Sequence, residues 1–264
     1  MLYQVTDWDD AYANGIHIPN GDSYPERFAA AGAAFRQTAR AEKLGPGDLF
    51  LPEGTPKGLM VFIHGGFWLR TAPSFWSHLA AGAVARGWAV AMPGYTLAPK
   101  ARVAEITAQV ARAVTEAAGR IDGPIAITGH SVGGQLAARM ICPDVLPDAV
   151  AERIISCVPI AALADLRPLM RTEMNKTIGL DAAECAAESP ALLVPRMGIP
   201  VTAWVGGMER PEFIRQSRLL ADIWAGLGVA TDFVIDPGRH HFDVFDGLMQ
   251  PDSVITRRLL EPAA

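Results

Sequence analysis

Apolar residues along this chain follow two periods. Continuous runs recur at Leu59-Met60-Val61-Phe62-Ile63, Trp88-Ala89-Val90-Ala91-Met92, Ile125-Ala126-Ile127, within Arg153 to Ile160, at Val201-Thr202-Ala203-Trp204-Val205 and at Asp232-Phe233-Val234-Ile235. They are short and bounded by turn residues such as Pro93-Gly94 and Gly123-Pro124, so they predict strands buried on both faces. Asp48 to Pro52 predicts one more short strand. Between the runs the period changes. Val103, Ile106, Val110, Val114 and Ala117 mark one apolar helix face. Helices are also predicted over Ser74 to Arg86, stopped by Gly87, from Gln135 to Met140, over Glu212 to Leu227, and near the end of the chain.

Strands that alternate with helices predict an α/β architecture: a mostly parallel central sheet with helices on both faces. Ligands in such sheets bind beyond the carboxyl ends of the strands. Two stretches stand outside the alternation. Residues 1–45 read as an N-terminal arm, with capping-box spacing at Ser23-Tyr24-Pro25-Glu26, a helix from Ala29 to Ala41, and turn-rich segments before it. That arm either packs on the core or walls one side of a pocket. Residues 161–195, with helical fragments around 166–174 and 182–188, predict a small insertion forming a partial lid. The whole chain, 1–264, is expected to be one domain.

Composition narrows the function classes. Half of the 264 residues are hydrophobic and the net charge is −5 with Lys and Arg scattered, which gives no basis for nucleic-acid or anionic-membrane binding. The acidic N-terminus lacks the apolar region of a signal peptide, and no run reaches the roughly 18 apolar residues of a membrane span. Cys142, Cys157 and Cys185 are irregularly spaced, as expected of buried free thiols in a cytoplasmic protein, with neither a disulfide set nor a metal site. The expected partner is a small molecule, and a homodimer is compatible with the sequence.

The chemistry gathers at predicted strand ends. After Ile125–Ile127 comes Thr128-Gly129-His130-Ser131-Val132-Gly133-Gly134, which places Ser131 in a sharp strand-to-helix turn between small residues, as a nucleophile elbow requires. After Leu59–Ile63 comes His64-Gly65-Gly66-Phe67-Trp68, whose glycines let backbone N–H groups converge, as an oxyanion hole requires. The N–H of Val132 can join them from the helix start. After Val201–Val205, Glu209 lies in the loop and Glu212 in the first helical turn. Glu209 is the preferred orienting carboxylate, because a first-turn glutamate commonly serves the helix dipole. After Asp232–Ile235 stand His240 and His241. Only one of two adjacent histidines can point inward and act as general base and acid. The order serine, acid, histidine predicts a serine hydrolase.

These motifs resemble one branch of the α/β-hydrolases, that of hormone-sensitive-lipase-type esterases and kynurenine formamidases (arylformamidases). Gly129-His130-Ser131-Val132-Gly133-Gly134, His64-Gly65-Gly66-Phe67-Trp68, Tyr95-Thr96-Leu97-Ala98-Pro99, the Glu209–Phe213 segment and His241-Phe242-Asp243 carry the resemblance, and His-Gly-Gly followed by an aromatic and Trp is closer to the formamidase-like group. The resemblance implies an α/β-hydrolase fold with Ser131 as nucleophile, Glu209 as acid and His241 as base. It further implies Gly66, Phe67 and Val132 as oxyanion donors, and no cofactor. Val132 stands where the group usually has alanine and Phe67 where tyrosine is common; both would narrow the site. Trp68 and Tyr95 are candidate walls of a substrate pocket. The leading expectation is hydrolysis of carboxylic esters with small acyl or aryl groups. The alternative is cleavage of N-formyl aromatic amines such as N-formylkynurenine, and the third is a hydrolase fold that only binds.

Overall fold

A computed structural model describes residues 4–262. The continuous apolar runs form the middle of an eight-stranded sheet ordered β1-β2-β4-β3-β5-β6-β7-β8. The strands are β1 (Arg40–Leu44), β2 (Gly47–Leu51), β3 (Leu59–Ile63), β4 (Ala89–Met92), β5 (Ile125–His130), β6 (Ile154–Ile160), β7 (Val201–Gly206) and β8 (Thr231–Asp236). β1 and β2 pair antiparallel and β2 meets β4 antiparallel, while the pairs from β4 to β8 are parallel. Every residue of β3, β4 and β5 is buried, because helices cover both faces of a parallel sheet.

Two predicted boundaries differ. The arm helix runs over Tyr24–Thr38 and stops before Ala41, and Arg40–Leu44 becomes an edge strand in which only Leu44 is buried. A strand exposed along its length has no apolar alternation to announce it. The segment Ser74 to Arg86 is broken into Pro73–Trp76, a 3₁₀ turn at Ser77–Ala80, and Ala81–Ala85. At the break the Ser77 hydroxyl lies 3.4 Å from the Pro73 carbonyl and 3.3 Å from that of Ser74, back-bonding that competes with regular helix.

Residues 161–195 pack tightly onto the body. Leu163, Leu166, Leu169 and Cys185 are buried, and the fully buried Trp224 donates its indole N–H to the Pro190 carbonyl at 3.1 Å. The side chain of Gln216 accepts from the Asp165 N–H at 2.8 Å and donates to the Asp165 carbonyl at 3.0 Å. The arm is also tied down: Tyr12 is buried and donates to Glu212 at 2.8 Å.

The register of β3 beside β5 pairs Ile63 with Gly129, so both strands release their chains at the same level. The helix after β5, Val132–Met140, then crosses unusually close to β3. A Cβ at Gly133 would stand 2.0 Å from the Ile63 carbonyl oxygen and 2.5 Å from that of His64, too close for any side chain. Gly133→Ala should therefore lower stability by about 1–3 kcal/mol, as overpacking does. Gly119→Ala, at an exposed helical position with open space around it, should raise it by about 0.5–1 kcal/mol. Urea denaturation of the two variants checks the contrast.

Candidate active site

Ser131 sits where β5 gives way to the following helix, with φ 59° and ψ −120°. Its N–H donates to the Ile160 carbonyl at 2.8 Å, which fastens the turn to β6. Six non-glycine residues among those described have positive φ, and four of them, Phe67, Trp68, Thr71 and Ser131, lie in this turn and the loop beside it. Such conformations cost about 1–3 kcal/mol each and concentrate at functional sites. The loop touches the turn directly: a Cβ at Gly65 would be 3.2 Å from Ser131 Cβ. Gly66 has φ +118°, and a Cβ there would meet the Arg70 carbonyl at 2.3 Å, so this reversal needs glycine. The backbone N–H groups of Gly66, Phe67 and Val132 donate to no other backbone group in the loops and caps among the described residues.

The loop is held from below by polar contacts that periodicity does not announce. The Tyr95 hydroxyl donates to the His64 carbonyl at 2.9 Å, and its ring stacks on His64 at 4.2 Å. Thr71 Oγ1 donates to the Gly65 carbonyl at 2.8 Å and accepts from the Trp76 indole at 3.3 Å. Burial pushes the His64 imidazole down to about 4, so it sits neutral under the loop. Trp68 and Tyr95, candidate pocket walls in the sequence, are both buried against this loop. Trp68 is fully buried and its carbonyl accepts the Ala98 N–H at 2.8 Å, while Tyr95 spends its hydroxyl on His64. A loop of left-handed residues needs such anchors, and both aromatics serve beneath it.

His241 and Glu209 come from the loops after β8 and β7. Two backbone bonds join these loops: Gly207 N–H to the Asp236 carbonyl and Met208 N–H to the Arg239 carbonyl, both at 2.8 Å. His241 Nδ1 is 2.8 Å from Glu209 Oε2, which selects the tautomer with the proton on Nδ1 and leaves Nε2 as an acceptor. The His241 ring centroid is 4.4 Å from that of His130, the neighbour of Ser131, and 4.5 Å from Phe213. Burial pushes His241 down to about 3 and pushes the Glu209 carboxyl up. Both shifts have the same largest cause, loss of hydration of the charged form. Ser131 is 2% exposed and His241 4%, so the group is shielded from bulk water.

Glu212 and His240 do different work. Glu212 accepts from Tyr12 and from Gln216 Nε2 at 3.0 Å and pairs with Arg215 at 2.7 Å. His240 Nε2 is 3.1 Å from the Tyr24 hydroxyl on the arm, and its backbone N–H donates to Asp243 at 2.6 Å. Tyr12 and Tyr24 were not singled out in the sequence, because each acts through a partner about 200 positions along the chain, and Thr71 was not, because its contacts are to a loop carbonyl and an indole five or six residues away that no periodicity marks. The described residues contain no cluster of His, Cys, Asp and Glu arranged to hold a metal ion, and no helix among them is long and apolar enough to cross a membrane.

The sequence pattern of the alpha/beta hydrolase family matches residues 60–257. The chain belongs to the alpha/beta hydrolase family. Among curated relatives of this α/β-hydrolase, kynurenine formamidase of Danio rerio is 26% identical over 233 residues, covering 84% of this chain and 78% of that protein. Kynurenine formamidase of Drosophila melanogaster is 26% identical over 230 residues, covering 80% and 76%. Among solved structures, a protein of Silicibacter sp. TM1040, described as a thioesterase by proposal, is 49% identical with a TM-score of 0.91, covering 96% of this chain and 98% of that one. An esterase of Pyrobaculum calidifontis shares the fold at 17% identity and a TM-score of 0.68, covering 90% and 92%. The eight-stranded, mostly parallel sheet with its helices is thus the α/β-hydrolase fold.

Tyr95→Phe removes the hydroxyl under the His64 carbonyl and leaves that buried acceptor short of a donor. It should cost about 1 kcal/mol, read as a lower urea midpoint at unchanged m-value.

Proposed function

We propose that this α/β-hydrolase is a serine hydrolase that transfers a small acyl group to water through Ser131. The observation that carries the reading is a serine in a strained strand-to-helix turn beside a buried His241–Glu209 pair. In the proposed reaction Ser131 Oγ bonds to the acyl carbon while His241 Nε2 takes its proton. Backbone N–H groups of Gly66, Phe67 and Val132 receive the developing oxyanion. The bond to the leaving oxygen or nitrogen breaks as His241 returns the proton to that atom. Water then cleaves the acyl-serine by the same route, releasing a carboxylic acid and restoring Ser131. Glu209 holds the imidazole in its working tautomer and offsets the charge that appears on it.

Small carboxylic esters are the leading substrate class, since the shielded serine and the buried Val132 beside it suit a short acyl group. A second class, aryl formamides, is favoured by the kynurenine formamidase relatives, which match across more than three quarters of this chain. A panel of p-nitrophenyl acetate, p-nitrophenyl butyrate, a short acyl thioester and N-formylkynurenine ranks the classes. Ser131→Ala should reduce kcat/KM on every turned-over member by about 10⁴-fold or more. Retention of activity in that variant would sink the reading.

The pH profile is a second test. The base works only when neutral, so activity is lost as pH falls through its pKa. Burial lowers that pKa from the usual 6.5 to about 3, which moves the acid limb of kcat/KM to lower pH. Full kcat/KM is expected at pH 6, with the midpoint of the acid limb well below 6.5. A midpoint at or above 6.5 would contradict the shielded, neutral imidazole.

A further inference from the structure

We propose that Asn14, on the N-terminal arm, is a substrate-contacting residue whose amide oxygen accepts the N–H of an aryl-amide leaving group, a contact that the ester of the same acid lacks. The proposal rests on the serine-hydrolase reading above and deepens it by naming the residue that would distinguish its second substrate class, the aryl amides, from its first.

Asn14 is only 7% exposed, and both Oδ1 and Nδ2 are closed to solvent and without a partner. Folded proteins rarely leave a buried amide in that state, since each lost hydrogen bond carries its full desolvation cost. Among the described residues one other side chain with two polar atoms leaves both buried and unpaired, His130, which precedes Ser131 and packs 4.4 Å from His241. The residues on either side of Asn14 pack on two aromatics that flank the same histidine. Two residues before it, the Tyr12 ring meets Phe213 edge-on at 5.9 Å, and Phe213 lies 4.5 Å from His241. One residue after it, a Cβ at Gly15 would be 3.7 Å from the Phe242 ring, and Phe242 follows His241 directly. The bracket is rigid: Tyr12 is bonded to Glu212, Asp10 is paired with Arg210, and the Gly15 carbonyl accepts the Ile18 N–H at 3.2 Å.

The chemistry says what such an amide would recognise. His241 returns its proton to the leaving atom, so the leaving atom must come to the histidine. An ester oxygen arrives with no hydrogen of its own. An anilide nitrogen arrives carrying an N–H, and in a site shielded from water that donor needs an acceptor. Asn14 Oδ1, buried and unpartnered in the arm segment packed over Phe213 and Phe242, is the acceptor we assign to it, while Nδ2 remains free to donate to a carbonyl on the same leaving group. An unpaired donor or acceptor is what lets a site tell N–H from O by large factors.

The test compares p-nitroformanilide with p-nitrophenyl formate, which share acyl group and ring and differ by N–H against O. In Asn14→Leu, kcat/KM for the anilide should fall at least ten-fold further than for the formate ester. The thermal midpoint should hold or rise, because an apolar residue of similar volume replaces two unpaired polar atoms. Asn14→Ala should show the same selectivity loss, and fluorophosphonate labelling of Ser131 verifies that each variant keeps its folded site. Equal losses on both substrates, or no loss on the anilide, overturn the proposal. So does a wild type that cleaves the ester and ignores the anilide, which leaves the serine-hydrolase reading standing. A wild type that neither takes the fluorophosphonate label nor cleaves either compound overturns that reading itself, and the proposal with it.

Discussion

The site depends on how closely one helix can approach one strand. The helix starting at Val132 passes β3 so tightly that Gly133 has room for hydrogen alone beside the Ile63 carbonyl. That contact sets the depth of the turn holding Ser131, and through Gly65 it places the loop after β3 against Ser131. A side chain at Gly133 would push the helix outward and carry the serine away from the loop. The glycines around Ser131 are therefore packing residues first, and the chemistry follows from the distance they permit.

A turn held in this way is costly, and the surrounding structure over-determines it. Phe67, Trp68, Thr71 and Ser131 all sit at positive φ, in conformations that persist only when neighbours hold them. The neighbours are identifiable: β6 through the Ile160 carbonyl, and Tyr95 and Thr71 through the carbonyls of His64 and Gly65. The acid and histidine loops are joined to each other by backbone bonds before any side chain is counted. The arm then ties into the helix after the acid loop, with Tyr12 on Glu212, and into the histidine loop, with Tyr24 on His240. Burial of the whole assembly keeps His241 neutral, the form that can accept a proton.

Legibility in the sequence followed how each residue is used. β3 and β4 read cleanly because burial on both faces demands a continuous apolar run. β1 did not, since Arg40 to Lys43 are exposed at an edge and nothing in their pattern separates them from the end of a helix. Ser131, Glu209 and His241 could be chosen because each lies in the segment after the carboxyl end of a strand, where this kind of sheet gathers its ligand-facing loops. The structure gives that choice its geometry, with 2.8 Å between His241 and Glu209 and with Glu212 occupied elsewhere. Trp68 and Tyr95 were only candidate walls in the sequence, because aromatic character alone does not say on which side of a loop a ring lies.

The sequence by itself determined the succession of buried strands, the parallel sheet they imply and the strand ends at which chemistry collects. These follow from local periodicity and from glycine placement. Only the tertiary structure decided what the arm does, because its contacts join residues about 200 positions apart, a separation no local pattern can encode. It also decided which polar groups go unpaired. Asn14 lies in a turn-rich stretch that reads as surface, and it is the folding of the arm over the histidine loop that buries its amide.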